Sequence, residues 1–266
     1  MLELESVQPH SQARLESGDS KRPVFAQHPP RLNRILAALT PKDYVRLLPD
    51  LEPVALPLGS FIYRAGDLER NLYFLTAGVA ARFYLTRNGA SAEFSLAGNE
   101  GVIGIASFLG GESTPSQTLM LGTGHAYRLG RRALRREFMC DSQLANLLLR
   151  YTHRLIAQTM RSGACNRHHS VEQQLCRWLL SCVDRVHSSE LTMTQEGIAQ
   201  MLGVRRESVT QVAAKLQNAG LIHTSRGRIG VLDRAQLEAR SCECYAADRR
   251  EYEHFLAGSL QSRVAA

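Results

Sequence analysis

The chain has no run of about 18 consecutive apolar residues, so no segment of it reads as a membrane-spanning helix. Its opening, MLELESVQPHSQARLES, lacks the basic start and apolar stretch of a secretory signal. No CxxC pair occurs, so a structural zinc site has little support, and no cysteine precedes Cys140. The six cysteines, Cys140, Cys165, Cys176, Cys182, Cys242 and Cys244, are not spaced like those of a small secreted scaffold. With 266 residues the chain is also too long to need covalent staples. Reduced thiols in the cytoplasm are therefore expected. Cys242-Glu243-Cys244 has the chemistry for a soft metal or a redox pair, but two ordinary thiols near a helix is the preferred reading. Neither a metal nor a cofactor is expected. No GxSxG nucleophile motif is present either.

What is present is a basic balance, with 32 Lys and Arg against 25 Asp and Glu for a formal net charge of +7. That suits a polyanionic partner, nucleic acid ahead of a membrane surface. Residues 1–30 mix Ser, Gln, Pro and charge without periodicity and read as a flexible tail. Leu32, Ile35, Leu36 and Leu39 then fall at helical spacing, and Pro41 is placed to open a second short helix.

Between about residues 51 and 130 the pattern changes to short apolar runs punctuated by Gly59, Gly66, Gly78, Gly89 and Gly98, with Asn88-Gly89 a hairpin signal. Many short strands at about ten-residue spacing imply a small barrel, roll or sandwich. His125 is the only histidine in this part, so a clustered-histidine metal enzyme of cupin type cannot be assembled there. Arg131, Arg132, Arg135 and Arg136 open a helical region. In it Leu144, Leu148, Tyr151 and Leu155 follow a four-three-four spacing that reads as a coiled-coil-like dimer seam. A helix over 141–162, stopping near Gly163 and Asn166, would be about 33 Å long. Its competing reading is a helix packed on its own domain.

Leu175, Trp178, Leu179, Cys182 and Val183 mark a further amphipathic helix, which leads to TQEGIAQMLGVRRESVTQVAAKL over residues 194–216. There Thr194 is a good N-cap, Ala199 is small enough for close helix approach, and Gly203 suits a left-handed turn. Ile198, Met201, Leu202, Val209, Val212 and Leu216 supply an inner face. The outer face presents Arg205, Arg206, Glu207, Ser208, Thr210, Gln211 and Lys215. Arg bridges guanine O6 and N7, Glu accepts from cytosine N4, and Gln pairs with adenine, whereas Arg205 and Lys215 suit phosphates. Residues 221–232 read as a hairpin carrying Arg226 and Arg228, a wing able to touch phosphate or minor groove. These parts together make a winged helix-turn-helix, the arrangement that places a helix in a DNA major groove.

Over roughly residues 32–235 the chain resembles the Crp-Fnr family of bacterial transcription regulators. The resemblance implies an α+β protein: a cyclic-nucleotide-binding-like β-roll, a long dimerisation helix and a C-terminal winged helix-turn-helix. The implied divisions are 1–30 tail, 31–136 roll with flanking helices, 137–166 dimerisation helix, 167–236 DNA-binding domain and 237–266 helical extension. It further implies a homodimer on a palindromic operator of double-stranded DNA, RNA polymerase as a candidate partner, and no membrane partner. Arg206-Glu207 match the family's base-reading pair. Gln211 stands where a further arginine often follows, and Arg205 where a small capping residue is common. Family members that bind cyclic nucleotides carry a Gly-Glu pair and, about ten residues later, an Arg with Ser or Thr. Here Gly104 is followed by Ile105, Ser116 (or Pro115) occupies the arginine position beside Gln117, and no arginine lies between Arg87 and Arg128. A phosphate buried at Gly104, Ile105, Ser116 and Gln117 would lack its cation, so cyclic AMP control is not expected and the effector is unknown. The other reading of the chain is a ligand-binding or protein-interaction module whose helix-turn-helix no longer reads DNA.

Overall fold

The computed structural model describes residues 27–261, apart from Glu112, Asp141 and His187. Most of the expected tail, residues 1–26, lies outside the described residues. Asn33 is fully buried. Its side-chain oxygen accepts from the amides of Ile35 and Leu36 at the start of α1 (Arg34–Ala38), and its amide donates to the Leu75 and Gly101 carbonyls at 2.9 Å each. Thr40 then caps α2 (Pro41–Leu47), with Pro41 at the first helical position as expected.

Eight strands follow: β1 (Leu51–Leu56), β2 (Phe61–Tyr63), β3 (Asn71–Ala77), β4 (Ala80–Leu85), β5 (Ser91–Ala97), β6 (Val102–Ile103), β7 (Gln117–Met120) and β8 (Gly124–Gly130). A short α3 (Ala106–Leu109) separates β6 from β7. The strands form two four-stranded sheets, ordered β1-β8-β3-β6 and β2-β7-β4-β5, with antiparallel pairing. Pro53, which cannot donate to a ladder, lies in β1 at a sheet edge. Asn88-Gly89 turns within the five residues that join β4 to β5. The roll interior is apolar, filled by Leu56, Leu75, Ala80, Ala97, Ile103, Met120 and Ala126. Strand alternation gives β4 a second use: Ala81 and Phe83 belong to a different cluster, which contains Trp178, Leu175 and Leu179 from the C-terminal half.

Beyond α4 (Arg131–Met139) runs α5 (Gln143–His168), 26 residues long and about 39 Å. It continues through Gly163 and Asn166, where the sequence suggests a stop. Gly163 is exposed, and no structure crowds it. The dimer seam expected at Leu144, Leu148, Tyr151 and Leu155 needs correction. All four are buried within the single chain, the first three in the cluster that includes Leu72, Phe74, Val102 and Leu129 of the roll. Tyr151 donates to the Val102 carbonyl at 3.2 Å, and a Cβ at Gly101 would lie 2.6 Å from its hydroxyl. Uncovering such side chains for a partner would forfeit roughly 1.5–3 kcal/mol each. The exposed face of α5 instead carries Asn146, Leu149, His153, Ile156, Met160 and Gly163, at alternating three- and four-residue spacing. Leu149, Ile156 and Met160 on it are 51%, 54% and 71% exposed.

The chain then enters α6 (Val171–Val186), β9 (Glu190–Thr192), α7 (Gln195–Leu202), α8 (Arg206–Asn218), β10 (Ile222–Ser225), β11 (Arg228–Val231) and α9 (Arg234–Arg240), with sheet order β10-β11-β9. The final helix, α10 (Glu243–Gln261), returns along α5, where Arg161 pairs with Asp248 and Glu251 and the Phe255 ring meets Tyr151 edge-on at 6.3 Å. Polar contacts also hold the roll to the C-terminal half. Arg185 of α6 donates to Glu100 at 2.6 Å, both residues being nearly out of solvent, and the Ser91 hydroxyl of β5 donates to the Gln200 carbonyl at 2.9 Å. Among the described residues, no helix is long and apolar enough to cross a membrane.

Glu93 of β5 is buried at this same junction. Burial raises its carboxyl to about 7, against the opposing pull of Arg177 and Arg185, with Asp248 acting in the same direction as burial. A carboxyl whose folded value lies above its unfolded value favours folding when protonated, so the stability it confers falls as pH rises from about 4.5 toward 7. Denaturant melts across that window are expected to show this decline in the natural protein and a flatter profile in Glu93→Gln. Parallel profiles would mean that Glu93 is not the group responsible.

Candidate nucleic-acid interface

The local sequence explains each part of the surface formed by α7, α8 and the β10–β11 hairpin. Thr194 accepts from the Gly197 amide at 3.1 Å and so caps α7. Gly203 ends α7 at φ 68°, and a Cβ there would lie 3.1 Å from the Ala92 Cβ of the roll. α8 starts at Arg206 with Arg205 in the cap position, where no side chain accepts from the first-turn amides. The inner face of α8 is buried through Val209, Ala213 and Leu216, with Val212 only half-buried.

The outer face lies as the spacing requires. Arg205, Arg206, Glu207, Thr210, Gln211 and Lys215 are exposed, and Ser208 is half-buried. Two of them are already engaged. The Thr210 hydroxyl donates to the Gln195 side chain at 2.7 Å, bridging the two helices, and Lys215 pairs with Glu172 of α6. Arg206, Glu207 and Gln211 remain as the side chains best placed to meet base edges, since 3.6-residue periodicity sets Glu207 and Gln211 on one side. Gln195 is a member of this surface that the sequence reading missed. Its position, one residue past the cap of α7, was the available signal.

The wing turns through Arg226 at φ 41° and Gly227 at φ 80°. Two successive positive φ values make the tight hairpin turn whose twist matches its strands. Arg226 is the one non-glycine residue with positive φ among the described residues, a costly conformation for a long side chain. It is exposed at the tip, and Arg228 follows on β11 within 4.0 Å of Glu190. Thr194, Gln195, Arg206, Thr224, Arg226 and Arg228 line one groove between the hairpin and the two helices.

The positions that would hold a cyclic nucleotide look different. Gly104 has φ 101°, and a Cβ on it would lie 2.1 Å from the Asn71 carbonyl, so only glycine fits. Ile105 packs against the cluster shared by the roll and α5. Ser116 is buried, 3.2 Å from the Thr114 hydroxyl, and Gln117 begins β7 half-buried. The amide of Ala106, at the start of α3, donates to the Glu69 carboxylate at 2.8 Å. A carboxylate of the chain itself therefore sits where an anion would approach.

One expectation about cysteine is also corrected by the geometry. Cys242 and Cys244 are not two isolated thiols: they meet Cys165 and His169.

Comparison with known proteins agrees with the roll and the helix-turn-helix. A family profile described as a Crp-like helix-turn-helix domain matches residues 173–240, and one described as a cyclic nucleotide-binding domain matches residues 53–140. A protein of Mycobacterium tuberculosis described as a CRP-like cAMP-activated global transcriptional regulator is 24% identical over 215 residues. The match covers 78% of this chain and 96% of that one. Among solved structures, FixK2 from Bradyrhizobium japonicum aligns with a TM-score of 0.62 at 16% identity, over 72% of this chain and 98% of that one. The CRP-family transcriptional regulator TTHB099 from Thermus thermophilus aligns with a TM-score of 0.59 at 25% identity, over 71% and 96% of the respective chains.

Proposed function

The chain belongs to the Crp-Fnr family of transcriptional regulators, and we propose that it acts as a homodimer reading a two-fold symmetric DNA site, without control by cyclic AMP. The observation that carries the DNA-reading part is the exposed Arg206, Glu207 and Gln211 face at the start of α8, flanked by the arginine wing. In this reading Arg206 and Glu207 meet bases. Gln211 sets a preference of its own, and Arg205, Arg226 and Arg228 hold phosphates. Ser208 supports them from the edge of the helix. Thr194 and Thr210 position the two helices, and Lys215 reaches phosphate only by leaving Glu172. The roll with its flanking helices to residue 136 would be the sensing part, residues 167–236 the DNA-binding part, and RNA polymerase a candidate partner.

The dimer is proposed to form along the free face of α5, through Leu149, Ile156 and Met160 with Gly163 allowing close approach. An apolar stripe at heptad-like spacing on a 26-residue helix, otherwise exposed, is what a coiled-coil seam requires. The absence of cyclic AMP control is supported by Ile105 at the position of the ribose-binding acid. It is also supported by the Glu69 carboxylate on the Ala106 amide, which would repel a cyclic phosphate.

Three outcomes test this reading. Arg206→Ala is expected to weaken binding to the preferred site by about 1–3 kcal/mol and to relax preference at one base pair per half-site in gel-shift assays. Equal loss on all sequences would reduce Arg206 to a phosphate contact. Paired Leu149→Glu and Ile156→Glu substitutions are expected to give a folded monomer in sedimentation, with severely weakened operator binding, and an intact dimer would place the interface elsewhere. Calorimetric titration with micromolar cyclic AMP is expected to register no binding, and measurable affinity would overturn the cyclic AMP part.

A further inference from the structure

At the far end of α5 four side chains with metal-binding chemistry converge. Cys165 lies in the last turn of α5, and His169 is the residue at which that helix ends. Cys242 immediately precedes α10, and Cys244 lies in its first turn. One ligand atom from each, three sulfurs and an imidazole nitrogen, lie within 4.8 Å of one another. The Cys165 and Cys242 sulfurs are 3.5 Å apart, and the Cys244 sulfur is 3.7 Å from His169 Nδ1. The three cysteines are buried and His169 is half-buried.

Those separations have a specific meaning. A tetrahedral ion with metal–sulfur bonds of about 2.3 Å and metal–nitrogen bonds of about 2.05 Å spaces two sulfurs about 3.8 Å apart, and sulfur and nitrogen about 3.6 Å apart. Both distances in the structure are close to these values. A polynuclear iron–sulfur cluster distributes its cysteines over several irons with sulfide between them, and needs a wider cage. The cage therefore suits a single ion. Three thiolates and one imidazole with no open position are the donor set of a closed zinc site rather than a catalytic one.

The surroundings carry a second, independent sign. His169 Nε2, the nitrogen facing away from Cys244, lies 3.1 Å from a Glu243 carboxylate oxygen. A carboxylate on the outer nitrogen fixes the tautomer that leaves Nδ1 free to bind a metal. Three thiolates with a divalent ion leave one net negative charge. Arg177, itself buried, is a nearby positive charge. Gln174 donates to the His169 carbonyl at 2.8 Å and to the Cys165 carbonyl at 3.4 Å, holding the backbone that presents two of the ligands.

We propose that Cys165, His169, Cys242 and Cys244 bind one zinc(II) ion, which clamps the C-terminal extension to the joint between α5 and the DNA-binding half. Only His169 and Ser170 separate α5 from α6, so an ion bound there sets the angle at which the long helix presents α8. It also anchors α10, whose first turn supplies Cys244 and whose later residues pair with Arg161. Loss of the ion would free both. The metal site stands apart from the DNA-binding reading, because its first readout involves no DNA.

The test uses the full-length protein purified under reducing conditions. Elemental analysis is expected to find one zinc per chain, and cobalt(II) substitution to give the intense ligand-field and sulfur charge-transfer absorption of a tetrahedral thiolate site. The double variant Cys242→Ser with Cys244→Ser is expected to lose stoichiometric zinc. Because that variant is at risk of misfolding, Glu243→Gln supplies a milder check, expected to weaken zinc affinity about 10–100-fold in chelator competition. Reduced protein that takes up no stoichiometric zinc overturns the proposal, as does undiminished zinc in the double serine variant. Recovery of a Cys165–Cys242 disulfide that, once reduced, binds neither zinc nor cobalt overturns it as well.

Discussion

The structure depends on how α5 divides its circumference. An α-helix of 26 residues offers a limited number of faces, and three are assigned here. One, with Leu144, Leu148 and Tyr151, is the wall of the roll. A second, with Arg150 and Arg161, receives α10. The third, with Leu149, Ile156 and Met160, is left open. Because the first two are fixed by burial and ion pairing, the third points in a direction the chain cannot easily alter. A partner copy seated there would inherit a defined spacing between the two recognition helices. The geometry of the reading surface is thus referred back to one helix and to the joint at its end.

At the opposite end of α6 from that joint, several contacts tie the roll to the C-terminal half. Arg185 and Glu100 form a nearly buried pair between the roll and α6, in which Arg185 and Arg154 hold the Glu100 carboxyl low despite burial. Removing one member of such a pair leaves the other charged and unsolvated, which is why buried pairs fix an arrangement more firmly than they stabilise it. Glu93 lies nearby with a carboxyl that titrates near neutrality. Gly203, the turn of the helix-turn-helix, rests on Ala92. Packed and charged contacts therefore connect the roll physically to the surface formed by α7, α8 and the hairpin. The cysteine–histidine cage sits at the other end of α6, beside His169 and Ser170.

What was legible in the sequence was local. Thr194, Gly203 and the 3.6-residue periodicity of α8 are decided within a few residues of chain, and they fell where the pattern put them. The wing followed from Arg226-Gly227 in the same way. The roll was legible as punctuation, since glycine turns recur whatever the strands pack against. The seam was not, because α5 carries stripes of helical spacing on more than one face, and spacing alone does not say which is covered by the chain's own roll. Gly163 and Asn166 misled as a helix end because packing against α10 carries the helix past them. The cage was hidden for a different reason. Cys165 and Cys242 lie 77 residues apart, and only the return of α10 along α5 brings them together.

The central claim is that two identical chains present two copies of α8 at a fixed separation to one DNA duplex. Selection of bound sites from random duplex DNA by the full-length protein tests it most directly. The account predicts an inverted repeat whose half-sites are centred about one helical turn, 10–10.5 base pairs, or a multiple of it apart. Recovery of an isolated half-site, or of no enriched sequence at moderate salt, would contradict it.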